Sequence, residues 1–456
     1  MDRISRREFL ALGAGAALAA AASCTPGSAA APAKAPPKPA NTGVTVTKPV
    51  TLTVWDQETG KVKAIWDELN RGFERKYPNV TINRVNRSFG DLQSVLKLAI
   101  AGPHPPDVVE ANQGWPDMGQ MVKAGLLLPL DNYADAYGWF DRVPENVSAV
   151  SSWSSDGKRF GTGSLFGFTA QGELIGVFYN KARLQQLGLA VPTTFAEFEH
   201  ALAAAKQAGE IPIQYGDLDK FPGAHTWAAV QERYVPESWM TDFVFGLKYD
   251  QTRFDTPENL QAAAKLQEWV RNGYFAPDFL AVGYDDSLSD FTKGRGVFAV
   301  TGNWIVANLG ADSTDFGFFA VPPTQAGGVP VSTGAAGFPL SITAKSENPD
   351  VAAAYIDWMT TDDAAQSLVP TGQIPLSKTF TPNGVEQGTL LAEMFSTAKK
   401  LNGQNALVPY EDWATPDFYG TLTGGVQDLM GLKVTPQQFA DALQSNYHAF
   451  QTSRVS

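Results

Sequence analysis

Residues 172–209 run GELIGVFYNKARLQQLGLAVPTTFAEFEHALAAAKQAG, a strand, a short helix, a proline turn and a second helix in unbroken succession. Leu174, Ile175, Val177, Phe178 and Tyr179 form a nearly continuous apolar run, the pattern of a strand covered on both faces. Val191-Pro192-Thr193-Thr194 then opens a helix. Thr194 is its expected N-cap, Glu197 completes a capping box, and Gly209 supplies the C-terminal stop.

The same alternation extends to either side. Val50 to Trp55 alternates β-branched and other residues as a strand does, and a helix follows from about Lys61 to Tyr77 with Ile65, Leu69, Phe73 and Tyr77 on one face. Pro78-Asn79 ends it before the strand Val80-Thr81-Ile82. A helix near Leu92 to Ala101 leads to Pro106-Asp107-Val108-Val109, another short strand. Strand and helix in alternation build a parallel sheet, and ligands of such sheets gather at the carboxyl ends of the strands. The loops Asp56-Gln57-Glu58-Thr59 and Ala111-Asn112-Gln113-Gly114-Trp115 therefore fall where a ligand would lie.

Downstream, Ile211-Pro212-Ile213 reads as a strand backed by a loop from Gly216 to Trp227 that holds His225 and Trp227. Helices open at Thr256-Pro257, Pro349-Asp350 and Thr435-Pro436. Between the first two, Val297 to Thr301 is a strand that runs into Gly302-Asn303-Trp304.

At 456 residues the chain exceeds what one core usually holds, so two domains are expected. Hydrophobic residues at 44% and charged residues at 18% describe an ordinary globular protein. The formal net charge is −12; residues 1–23 hold three arginines against Asp2 and Glu8, so their removal leaves −13. An acidic chain argues against nucleic acid, which needs clustered Lys and Arg.

Residues 1–23 read as a targeting segment. Ser5-Arg6-Arg7-Glu8-Phe9-Leu10 resembles a twin-arginine export signal, and Leu10 to Ala22 is a short apolar stretch. Cys24 is the single cysteine, so an intrachain disulfide is excluded. Its place after Ala21-Ala22-Ser23 resembles a bacterial lipobox, with Ala21 where leucine is usual. Lipidation of Cys24 would anchor the chain, and the Pro- and Ala-rich residues from Thr25 to Asn41 would form an extended tether.

Several of these strings together resemble family 1 of the extracellular solute-binding proteins of ABC importers. They are Phe178-Tyr179-Asn180-Lys181, Leu187-Gly188, Pro192-Thr193-Thr194-Phe195, the string PDVVEANQGW from Pro106, Ala124 to Asp131, and Gly302-Asn303-Trp304. The resemblance implies an α/β, periplasmic-binding-protein-like fold of two lobes joined by a multi-strand hinge. It implies a signal peptide over 1–23, a tether over 24–47, lobe one from 48–172 and 334–378, and lobe two from 173–333 and 379–456. Hinge crossings are then expected at Gly172 to Ile175, Ser332 to Gly337 and Thr371 to Pro375. The implied partners are a carbohydrate, a membrane permease and, through Cys24, the outer face of the cell membrane; the implied state is a monomer without cofactor.

Catalytic patterns are scarce. His104, His200, His225 and His448 are too scattered for a motif such as H-E-x-x-H, and the phosphate loop and the G-x-S-x-G elbow are absent. The pairs Asp285-Asp286 and Asp362-Asp363 suit helix starts better than glycosidase chemistry. What the chain offers is aromatic surface and polar groups at strand ends. Trp115, Trp227, Trp304 and Trp413 could lie against the C–H face of a sugar, and at least two are expected to, with core packing the alternative for each. Glu58, Asn112, Gln113, Glu173 and Asn303 are the candidates for hydrogen bonds to its hydroxyls, joined by Gly337 at a crossing and by His225, for which a structural role is the alternative. A secreted carbohydrate-active enzyme and a ligand-sensing ectodomain remain open as other readings.

Overall fold

Strand β1 (Val50–Asp56) lies in parallel between β2 (Val80–Asn86) and β3 (Val108–Glu110), with the helices Gly60–Lys76 and Phe89–Ala101 as crossovers. This is the parallel sheet that the alternating pattern demands. The computed structural model describes residues 40–378 and 380–455; the targeting segment, Cys24 and most of the tether fall outside the described residues. A small hairpin, β4 (Ser152–Trp153) with β5 (Ser164–Leu165), follows. Next comes β6 (Gln171–Asn180), the strand that organises the rest.

The two halves of β6 serve different sheets. From Ile175 to Asn180 it pairs antiparallel with β7 (Phe298–Gly302) and β8 (Phe316–Phe319). Its first residues, Gly172 to Leu174, pair antiparallel with β9 (Ser332–Ala336). After β9 the chain needs only a few residues to reach β10 (Leu340–Ile342), which adds antiparallel to β3 in the first sheet. Then β11 (Ile374–Pro375) returns to pair with Gln171 and Gly172, and β12 (Leu407–Val408) lies parallel to β9. The three stretches expected to cross between lobes therefore lie side by side.

Each sheet has its own helices. Pro349–Met359 packs on Gly60–Lys76, where Tyr355 meets Phe73 edge-on at 5.3 Å and donates to Asn70 at 2.7 Å. Around the second sheet, Phe198 contacts Phe298 at 5.2 Å, and Trp227 meets Phe439 of the C-terminal helix Pro436–Val455 at 4.9 Å. Seven of ten β6 residues in a row are buried, as a strand covered on both faces requires. Burial of each of Leu174, Ile175, Val177 and Phe178 stabilises by roughly 1.5–3 kcal/mol before the entropy of ordering it is counted.

Local signals operate as their chemistry dictates. Thr194 and Glu197 form the capping box of the helix Phe195–Gln207, and the two aspartate pairs sit in the first turns of Tyr284–Thr292 and Asp362–Leu368. Two expectations are corrected. Ile211-Pro212-Ile213 is not a full strand, because Pro212 has no N–H to extend a ladder; Ile213 alone bridges Phe275 and Phe298. The stretch holding His225 and Trp227 is not a loop but the helix Phe221–Gln231, whose Pro222 and Gly223 fall in its first turn, where a missing N–H costs nothing.

Candidate ligand-binding site

The carboxyl end of the first sheet is built on a buried ion pair. Arg84 grips Asp56 with two bonds of 2.6 Å and reaches Asp67 at 2.7 Å. Parallel register sets this geometry, since Val54 is opposite Arg84 and Asp56 opposite Asn86, whose side chain adds a bond of 2.7 Å to Asp56. Two residues further on, Glu58 is half-buried with no such partner. Burial, then the charges of Asp56 and Glu173, push its carboxyl up to about 8, against the pull of Arg84. Glu110, at the end of β3, is likewise pushed well above the usual carboxylate range, by burial first and then by Glu58 and Asp56.

Glu173 faces this floor from the crossing strand β6. Burial raises it to about 7, although the Tyr410 hydroxyl, donating to it at 3.1 Å, works in the other direction. Tyr410 begins a row of rings that leads into the second sheet: His225 lies 6.0 Å from it and Trp304 lies 5.3 Å beyond His225. Burial lowers His225 to about 4, so the imidazole is neutral near pH 7. Trp304 is half-buried and donates through Nε1 to the Tyr284 hydroxyl at 2.7 Å, which also bonds Thr301 at 2.9 Å. Asp412, next to Trp413, is raised to about 7, chiefly by burial and further by Asp117.

Of the residues singled out in the sequence, Glu58, Glu173, His225 and Trp304 come together here. Gly337 joins them, since a Cβ on it would stand 3.5 Å from the Glu173 Cγ. Asn112 is half-buried and donates to Asp117 at 3.0 Å. Trp413 is buried at the edge of this cluster, its ring 5.1 Å from that of Tyr410, and the remaining residues are placed elsewhere. Trp227 is fully buried and donates to Glu411 at 2.9 Å; two residues along a helix from His225 it points to the opposite side, because each residue turns about 100°. Trp115 is packed edge-on between Trp153 and Phe450 at 4.7 and 4.8 Å. Trp413 covers Gly114, whose φ of 77° and absent Cβ allow the approach: a Cβ there would stand 2.3 Å from that of Trp413. The amides of Gln113 and Asn303 are buried and bonded to backbone carbonyls. Sequence patterns did not single out Tyr284, Tyr410, Asp412 or Arg84. Only Arg84 carried a signal, as a cation in a strand paired with the acidic end of β1.

Two α/β sheets with their own helices, joined by three adjacent strands beside a polar and aromatic cluster, define a periplasmic-binding-protein-like fold. The model of the bacterial extracellular solute-binding protein family matches residues 55–366, and the chain belongs to that family. It is 24% identical over 350 residues to a multiple sugar-binding protein of Streptococcus mutans serotype c, covering 72% of this chain and 75% of the relative. An ABC transporter extracellular-binding protein of Pyrococcus horikoshii is 23% identical, covering 75% of each chain. Among solved structures, a chitin oligosaccharide binding protein superposes with a TM-score of 0.76 at 20% identity, covering 89% of this chain and 99% of the other. The solute-binding protein RafE in complex with raffinose gives 0.70 at 20% identity, covering 88% and 100%. Among the described residues no helix is long and apolar enough to cross a membrane.

Proposed function

We propose that this protein is the extracytoplasmic solute-binding subunit of an ABC importer, that it encloses a carbohydrate between its two lobes, and that it hands the sugar to a membrane permease. One observation carries the reading most: Trp304, half-buried and held through its indole N–H by Tyr284, stands in one cluster with His225, Tyr410, Glu173 and Glu58. An indole whose edge is occupied offers its face, which suits the C–H face of a pyranose. Carboxyls near their own pKa at neutral pH both donate and accept, which suits hydroxyls. The sugar ligands named for the family relatives support the same class of solute.

Binding requires no covalent step. The lobes stand open without sugar and close around it by hinge motion at Gly172 to Ile175, Ser332 to Gly337 and Thr371 to Pro375, where a few residues at strand ends absorb the change. A lipid on Cys24 holds the protein, as a monomer, at the outer face of the membrane. A second reading, hydrolysis of the sugar, has one observation in its favour: two carboxyls, Glu58 and Glu173, close enough for the charge of Glu173 to act on Glu58 and raised to about 8 and 7.

Calorimetric titration with raffinose, chitin oligosaccharides, xylo-oligosaccharides and their monosaccharides tests the proposal. Saturable binding at one sugar per chain, with the sugar recovered intact, is expected. Folded protein that binds none of them overturns the carbohydrate assignment, and recovery of cleaved sugar favours the enzyme.

A further inference from the structure

Asn303 stands in the chain between β7 and Trp304, yet its side chain points the other way. It is 1% exposed. Its Oδ1 accepts from the Leu174 N–H at 2.9 Å, and its Nδ2 donates to the Gly372 and Gly172 carbonyls at 2.8 and 3.3 Å. These backbone groups belong to two different crossings: Gly172 and Leu174 to the start of β6, Gly372 to the turn before β11. The third crossing has a similar contact from the first lobe. Gln113, 2% exposed, donates through Nε2 to the Ala336 and Gly337 carbonyls at 3.0 and 2.9 Å.

The turn at Gly372 is shaped to make this contact. Its φ is 87°, and a Cβ there would stand 2.4 Å from Val306 Cβ and 2.8 Å from the Asn303 carbonyl oxygen. Only glycine lets the turn press so closely on the segment that carries Trp304. Three of the four hydrogen bonds an asparagine amide can make are already formed to backbone, so the group is committed to the crossings rather than to a solute.

We propose that Asn303 and Gln113 are positioning residues: buried cross-braces that tie the crossing strands to the loops on which the sugar-binding groups stand, and so set the fraction of molecules able to close. The inference rests on the hinge reading above. Trp304 shares a peptide unit with Asn303, and Asn112 shares one with Gln113. A shift of either loop when a sugar seats must therefore move an amide bonded to a crossing strand, and a displaced strand must move the loop.

The test uses the full chain with Cys24→Ser and spin labels on Leu98→Cys and Val191→Cys. These positions are 80% and 39% exposed and lie beside the first and second sheets respectively. Distances between labels are recorded with no sugar and with raffinose and a chitin oligosaccharide. Asn303→Asp keeps an acceptor for Leu174 and loses at least one of the two donors to Gly172 and Gly372, since even a protonated carboxyl carries a single O–H. Its sugar-free distance distribution is expected to broaden or shift from that of the parent chain. If the competent fraction falls to a tenth, the apparent Kd of any sugar that binds rises about tenfold, mostly through a slower on-rate. A folded Asn303→Asp whose distribution superimposes on the parent's overturns the proposal. If that variant does not fold, Gln113→Met, similar in size but without the two donors, answers the same question by the same measurement. Should neither sugar bind or move the labels in the parent chain, the solute reading fails separately, while the sugar-free distributions still decide the braces.

Discussion

Replacing Trp304 by alanine separates a binding tryptophan from a packing one. The indole is half-buried, its N–H is bonded to Tyr284, and its six-membered edge lies over Gly302, where a Cβ would come within 2.0 Å of ring carbon Cζ3. A fully buried aromatic costs about 3–5 kcal/mol of stability on truncation. A ring that keeps an exposed face should cost less than about 3 kcal/mol, and Tyr284 retains its bond to Thr301 when the indole is gone. If the exposed face carries a sugar ring, truncation of such a central aromatic removes about 2–4 kcal/mol of binding. At about 1.4 kcal/mol per tenfold, the affinity falls about thirty- to several-hundred-fold. Calorimetric titration with the tightest sugar of the panel, beside a melting curve, reads both quantities. Gly302→Ala gives an independent check, because it keeps the indole but forces it aside. A Trp304→Ala protein that melts normally and binds like the parent refutes the assignment; one that has lost most of its stability makes Trp304 a core residue.

Arg84→Ala should lower the unfolding free energy by roughly 3–5 kcal/mol in a denaturant titration, since it strands Asp56, fully buried, without its cation. Glu58 and Glu411 are raised by burial to about 8, and Glu173 and Asp412 to about 7, from ordinary values near 4. The folded chain therefore holds protons that the unfolded chain has released, and stability should fall as pH rises from about 4.5 to 8. Glu58→Gln should make that fall shallower, and a melting temperature that rises over the same interval would contradict the sign. Cys24→Ser should move the protein from the membrane fraction to the soluble one, because anchoring scales with buried CH₂ at roughly 0.8 kcal/mol each; continued membrane association would remove Cys24 as the attachment point.

Much of the fold was legible because its signals are local. The apolar run of β6, the capping box at Thr194 and Glu197, and the face Ile65, Leu69, Phe73 identify their elements from neighbouring residues alone. The site was only partly legible because its members meet through tertiary packing. Position at a strand end marked Glu58, Trp304, Trp115 and Trp413 alike, whereas tertiary packing leaves the first two half-buried and buries Trp115 against Phe450 and Trp413 against Tyr410. Residue type marked Gln113 and Asn303 as hydroxyl partners, whereas the crossings, whose backbone groups are buried, engage both amides. Trp227 shows the effect of one misjudged element: on a loop it could have shared a face with His225, and on a helix it cannot. Tyr284 and Tyr410 belong to no pattern, and only the fold brings them to Trp304 and Glu173.

On the proposed function, two lobes close around a sugar. Small-angle scattering on the same protein, without sugar and at a concentration that calorimetry shows to be saturating, tests it most directly. A smaller radius of gyration and a shorter maximum dimension are expected with sugar bound. An unchanged radius at verified saturation would mean a rigid pocket, and would contradict closure at the three crossings.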